Sequence, residues 1–287
     1  MRPYDYLKER QYSWARRHGV LIDDAGYVEE LNDNLFLPPT DEMLRELPKD
    51  RDGNPHESVY AAHSSAALVF NVFAYWRLYN NLGPILSALC PDLIGHEAEK
   101  LTFEAQCPIG WPTTQPDRKP PHLDAVVRYR DKAEPAVIKG IGIESKFGEL
   151  YGGQDQGPFA DCYMAPENAS IWEGCEPLRE LAVRINGGEK KIYQRLKVAQ
   201  LIKHVLGLKN QFKEMQNFEL IYLWYPAPGV EAVEHEGEIK AFQKLIEACH
   251  PQVKFRAIAY PDLIQTLVVQ HGTAHGAYVD YVTDRYF

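Results

Sequence analysis

The sequence predicts an α/β protein, a mixed central sheet flanked by helices, with an N-terminal helical extension. Three observations predict it. Apolar runs, alternating or uninterrupted, occupy residues 98–106, 122–129, 137–147, 218–225 and 253–260 and read as strands. Longer stretches between them carry apolar residues three and four apart, the spacing of a helix with one buried face. From residue 57 onward the elements run helix, three strands, helix, strand, helix, strand.

Taken in order, Tyr4 to His18 reads as a helix, followed by a turn at Asp23–Gly26. Thr40 follows two prolines and is placed to N-cap a short helix over residues 41–47. Residues 51–55 form a turn signal, Arg-Asp-Gly-Asn-Pro. Residues 1–56 read as an accessory segment and 57–287 as the main domain. A helix is expected from Glu57 to Asn80, and a short one from Ile85 to Leu93. The first strand carries Glu104. Five prolines within residues 108–121 then require a loop, which also holds Trp111.

The chain is organised around the hairpin that follows. Its first strand, His122-Leu-Asp-Ala-Val-Val-Arg-Tyr, places Asp124 near its start. After a polar turn the return strand ends Ile-Gly-Ile-Glu144-Ser-Lys146-Phe. Side chains alternate along a strand, so Glu144 and Lys146 share one face while Ile141, Ile143 and Ser145 take the other. Charges in so apolar a segment are costly unless paired or metal-bound. Two more Glu-x-Lys triplets, at 189–191 and 238–240, follow no apolar strand and read as solvated charges.

Residues 147–176 are rich in glycine and proline and read as a long loop, in which Tyr163 and Trp172 pack or stack on bases. A helix over 178–185 breaks at Asn186-Gly-Gly188, and an amphipathic helix is expected over 191–208. Further helices are expected at 239–249 and from Pro261 to Val269, ahead of an aromatic tail at 278–287.

Net charge is −9, against indiscriminate coating of nucleic acid. The charge is segregated: residues 179–213 hold nine Lys/Arg and two acids, whereas residues 1–60 hold eight Lys/Arg and thirteen acids. No run approaches the ~18 apolar residues of a membrane span. Five widely spaced cysteines read as reduced thiols of a cytoplasmic protein.

Asp124 on one strand with Glu144-Ser-Lys146 on the next resembles the PD-(D/E)XK nuclease superfamily, with Leu123 where the motif name has proline. The resemblance spans about residues 57–270 and implies a restriction-endonuclease-like core. It implies a nuclease that hydrolyses phosphodiester bonds, first of all a restriction-like DNA endonuclease. Asp124, Glu144 and Lys146 are then catalytic. Mg²⁺, or Mn²⁺, would be held by Asp124, Glu144, the Ser145 carbonyl and Glu104. Secondary candidates are Gln200, preferred over Gln194 on the following helix, Glu149 at the site mouth and Glu57 at the head of the preceding helix. Lys190, Lys191 and Lys197 are the expected nucleic-acid contacts. Double-strand cutters of this fold often dimerise, so a homodimer fits. The alternatives are a catalytically silent binder of the same fold, and an unrelated α/β protein whose acids form a structural ion-pair cluster.

Overall fold

The computed structural model describes all residues except 51, 53–54, 113–118, 153–156 and 190–192. Five strands form one sheet in sequence order: β1 (Glu97–Gln106), β2 (His122–Arg130), β3 (Ile138–Lys146), β4 (Phe218–Trp224) and β5 (Lys254–Ala259). The first three strands are an antiparallel meander, and β3, β4 and β5 run parallel. Every residue of β4 is buried, as expected for a central strand covered on both faces. This is the mixed, helix-flanked sheet that the sequence predicts.

Strand alternation assigns the layers. Ile143 and Ser145 face one side, where α3 (Ser65–Leu78) and α8 (Tyr260–His271) lie. Phe70 of α3 stacks on Phe103 of β1 with ring centroids 4.8 Å apart, and the hydroxyls of Ser145 and Tyr260 are 2.6 Å apart. On the other side, α6 (Val198–Phe212) rests on β3 and β4. Two glycines of β3 let it come close. A Cβ on Gly140 would collide with the Phe212 ring, and one on Gly142 would lie 2.7 Å from Cδ1 of both Leu123 and Leu208. Phe212, Leu208 and His204 are four residues apart and lie on one helix face. That stripe runs along β3 in the order Gly140, Gly142, Glu144, so close packing over the glycines delivers His204 to Glu144. Beside α6, α5 (Glu176–Asn186) and α7 (Val230–Glu247) complete this layer.

The first sixty residues are tied to the last helix. Arg285 of α9 (Gly276–Tyr286) is buried, its guanidinium 4.2 Å from the Trp14 ring centre of α1 (Pro3–Arg17). It donates to Gln11 Oε1, to both oxygens of Asn34 and to the Ala62 carbonyl. Leu7, Leu31 and Met43 belong to the same continuous core as the sheet. Among the described residues no helix is long and apolar enough to cross a membrane.

The structure corrects four element boundaries. Glu57 does not begin the long helix: it lies on a separate 3₁₀ turn (Glu57–Tyr60), and the helix starts after Ser64, whose hydroxyl accepts the Ala67 N–H. Asn34 holds the intervening chain out of helix by donating to the carbonyls of Val59 and Ala61. The basic helix begins at Val198 instead of 191, because the Glu238 carboxylate gathers the N–H groups of Gln194, Arg195 and Leu196 at 2.6–2.9 Å. A carboxylate held by three backbone donors is also not the solvated charge expected at 238–240. The helix expected at 239–249 starts at Val230, and the aromatic tail is itself helical, as α9.

The close approach of α6 to β3 is testable. Gly142→Val should lower stability by about 1–3 kcal/mol through overpacking. Thermal unfolding checks this, and an unchanged melting temperature would show that no glycine is needed there.

Candidate active site

The β2–β3 pairing ends at Ala125–Ile143, and Asp124 and Glu144 are the next residues along their strands. The Ser145 N–H donates to Asp124 Oδ2 at 2.7 Å, which fixes the carboxylate between the strands. On the other flank of β2, the pairs Phe103–Ala125 and Ala105–Leu123 bracket Glu104 opposite Asp124. Glu104 has φ of +44°, a left-handed conformation rare for a side-chain-bearing residue and concentrated at functional sites. Three adjacent strands thus contribute one carboxylate each.

Glu144 lies deepest, its side chain 2% exposed. The Lys146 ammonium donates to Oε1, and His204 Nε2 lies 2.8 Å from Oε2. His204 is equally buried; its Nε2 meets Oε2 as an ion-pair contact without hydrogen-bond geometry, and its Nδ1 has no hydrogen-bond partner among the described residues. Burial alone would push the Glu144 carboxyl up, but Lys146 and His204 outweigh it and bring it down to about 2. Burial pulls Lys146 down, yet Glu144, Asp124 and Glu149 together leave its pKa raised. The other two carboxylates go the opposite way. Burial and the nearby Glu144 charge push Glu104 up to about 7, and Asp124 well above its usual range. One firmly ionised acid therefore sits beside two that resist ionisation.

Residues 8–287 match the family described as Restriction Endonuclease associating with ARP, REase-ARP. The chain belongs to the REase-ARP family. No curated protein and no solved structure matches it. Membership supports a restriction-endonuclease-like relationship, in keeping with the sheet architecture.

The remaining candidate residues of this REase-ARP protein are dispersed. Gln200 and Lys197 line a cavity of about 420 Å³ together with His122 and His204. Glu149 is exposed and accepts the Phe147 N–H at 2.9 Å, near enough to act on Lys146. Glu57 is exposed on its turn, away from the interactions that join the three strand carboxylates. Lys190 and Lys191 lie outside the described residues. Tyr163 and Trp172 are buried, and the Trp172 indole donates to the Tyr163 carbonyl. Sequence reasoning missed His204. Its one available signal was its place one turn beyond Gln200, on the stripe that continues to Leu208 and Phe212.

Among the described residues, no three His, Cys, Asp or Glu side chains are grouped closely enough to hold a metal ion as they stand. Mg²⁺ does not require three: it is held by one or two carboxylates and retains several waters. Asp124 and Glu144 supply such a donor pair, and the upward push on Asp124 and Glu104 marks a site short of positive charge. The residues therefore fit a hard divalent cation.

The shift of Glu104 has a defined consequence. A carboxyl with a raised folded-state pKa destabilises the fold as pH rises from its unfolded value near 4.5 through about 7. Without metal, Glu104→Gln should gain stability over wild type above pH 7 and little near pH 5. The gain is at most about 3 kcal/mol. Melting curves of both proteins across that range check this; parallel curves would show that Glu104 is not strained by its neighbours.

Proposed function

We propose that this REase-ARP family member is a metal-dependent nuclease of the PD-(D/E)XK type, most simply a restriction-like DNA endonuclease. One observation carries the reading: the Asp124 carboxylate is held between β2 and β3 by the Ser145 N–H, beside Glu144 with the Lys146 ammonium on it. Family membership supports it independently.

Hydrolysis of a phosphodiester needs a placed water and compensation of the charge that develops on the phosphate oxygens. A divalent cation held by Asp124 and Glu144, Mg²⁺ or Mn²⁺, supplies Lewis acidity and neutralises charge there. The protein's own groups do the rest. With its pKa raised, Lys146 stays protonated, so it orients the attacking water and offsets phosphate charge without taking a proton. His204 and Lys146 hold the Glu144 carboxylate ionised and turned between them. The Ser145 N–H aims Asp124. Glu104 draws close to neutral pH as a proton-exchanging carboxyl at the edge of the site. Action in the cytoplasm, on DNA and as a homodimer, completes this reading.

A second reading keeps a specific observation. Both Glu144 oxygens are engaged, one by Lys146 and one by His204, as in a purely structural ion-pair cluster. Incubation with supercoiled plasmid, linear duplex, single-stranded DNA and RNA, in Mg²⁺, Mn²⁺ or EDTA, separates the two. The nuclease reading expects metal-dependent cleavage, reduced about 10²–10³-fold in Lys146→Ala. A mutant that cuts at the wild-type rate removes Lys146 from the mechanism. A structural cluster expects no cleavage by either protein and a loss of about 3–5 kcal/mol of stability in the mutant.

A further inference from the structure

Among the described residues neither ring nitrogen of His204 makes a hydrogen bond. The side chain is 1% exposed, so bulk solvent does not serve it either. Buried polar groups are hydrogen-bonded as a rule, and each exception asks for a cause. A structural counter-ion for Glu144 would turn an N–H onto the carboxylate and gain a charge-assisted bond. Here Nε2 lies 2.8 Å from Oε2 yet out of line for such a bond. No protonation state removes the difficulty. An imidazolium leaves two buried N–H groups without acceptors, and the neutral ring leaves one N–H and one lone pair. His122 makes the contrast. It lies on β2, two residues before Asp124 and on the same face, with Nδ1 3.9 Å from Glu104 Oε2. Its side chain is 41% exposed, so water can satisfy it. The position of His204 is imposed from below, because Phe212 and Leu208 of the same stripe pack over Gly140 and Gly142.

A nitrogen and a carboxylate oxygen side by side, without a hydrogen bond between them, have the spacing of two donors to one cation. Donors about 2.1 Å from a common ion and at right angles lie about 3 Å apart. We infer that His204 is a ligand of the same cation as Glu144, so that the site takes a first-row transition ion, Mn²⁺ first, in preference to Mg²⁺. This rests on the nuclease reading for the presence of a cation and deepens it. Lys146 occupies Oε1 of Glu144, which leaves Oε2, the oxygen beside His204, to the ion. Asp124, aimed by the Ser145 N–H, and water supply further donors. An imidazole nitrogen adds affinity for transition ions and little for Mg²⁺, which is served by carboxylate oxygen and water. Mn²⁺ suits a donor set that is mostly oxygen with one such nitrogen.

The test reads the bound ion itself and needs no cleavage. Pulsed electron paramagnetic resonance of Mn²⁺ on the wild-type protein should show coupling to a coordinated imidazole nitrogen, altered when histidine alone carries ¹⁵N. His122→Gln should retain that coupling and His204→Gln should abolish it. The labelled wild-type and His122→Gln spectra decide even where His204→Gln does not fold. Calorimetric titration adds the selectivity. Wild type should bind Mn²⁺ about tenfold or more tightly than Mg²⁺, and His204→Gln should lose about tenfold in Mn²⁺ affinity with Mg²⁺ little changed. Bound Mn²⁺ without histidine coupling, or a folded His204→Gln protein that binds Mn²⁺ like wild type, overturns the inference. Metal-dependent cleavage of plasmid in that case leaves the nuclease reading standing. A folded wild-type protein that takes up neither ion and cuts nothing overturns both.

Discussion

The buried carboxylate of Glu144 is the constraint around which the sheet and its covering helix are arranged. An ion at that depth is expensive, and an apolar residue there would serve stability as well or better. Its charge is kept only because Lys146 reaches it from two positions along the same strand and His204 from the helix above. The second contact sets a packing requirement. α6 must lie closer to β3 than ordinary side chains allow, and Gly140 and Gly142 remove the obstruction. Phe212 and Leu208 then fill the space over the glycines, and the next turn of the same stripe is His204. A chemical feature of β3 thus dictates both a glycine pattern in that strand and a periodicity in a helix sixty residues later.

The three strand carboxylates do not share that compensation equally. Glu144 takes the positive groups and is driven towards ionisation, while Asp124 and Glu104 feel its charge with less relief and are driven the other way. A fold that served stability alone would not hold three acids on adjacent strands, one of them with a left-handed backbone. In the proposed reading a bound cation would offset that imbalance. The same logic links the site to the charge pattern around it. In an acidic chain the cavity at His204 is lined by Lys197, Lys203 and His122 and, among the described residues, by no carboxylate.

Much of this was legible in the sequence. Period-two alternation fixed the hairpin, and the alternation itself places Glu144 and Lys146 on one face; that Asp124 meets the Ser145 N–H follows only once the strands are paired. Thr40 was readable as an N-cap because capping is local, and its hydroxyl accepts the Met43 N–H. What escaped depends on partners distant in sequence. The helical turn expected over 194–197 is lost to Glu238, more than forty residues away, and no local pattern in 194–197 reveals that competitor. The expected start at Glu57 fails for the same reason, with Asn34 holding the chain open. His204 reads as one polar residue on an apolar face until β3 is placed beneath it. Arg285, ordinary in sequence, joins the N-terminal segment to the last helix by contacts that span most of the chain.

The central claim is that Asp124 and Glu144 together hold a divalent cation. Calorimetric titration of Mg²⁺ into the metal-free protein near pH 7 tests it most directly, in two buffers of different ionisation enthalpy, with Asp124→Asn alongside. The account predicts saturable binding by wild type, with protons released as the cation displaces them from carboxyls of raised pKa, and its loss in Asp124→Asn. A folded wild-type protein that takes up no Mg²⁺ or Mn²⁺, or an Asp124→Asn protein that binds as well as wild type, would contradict it.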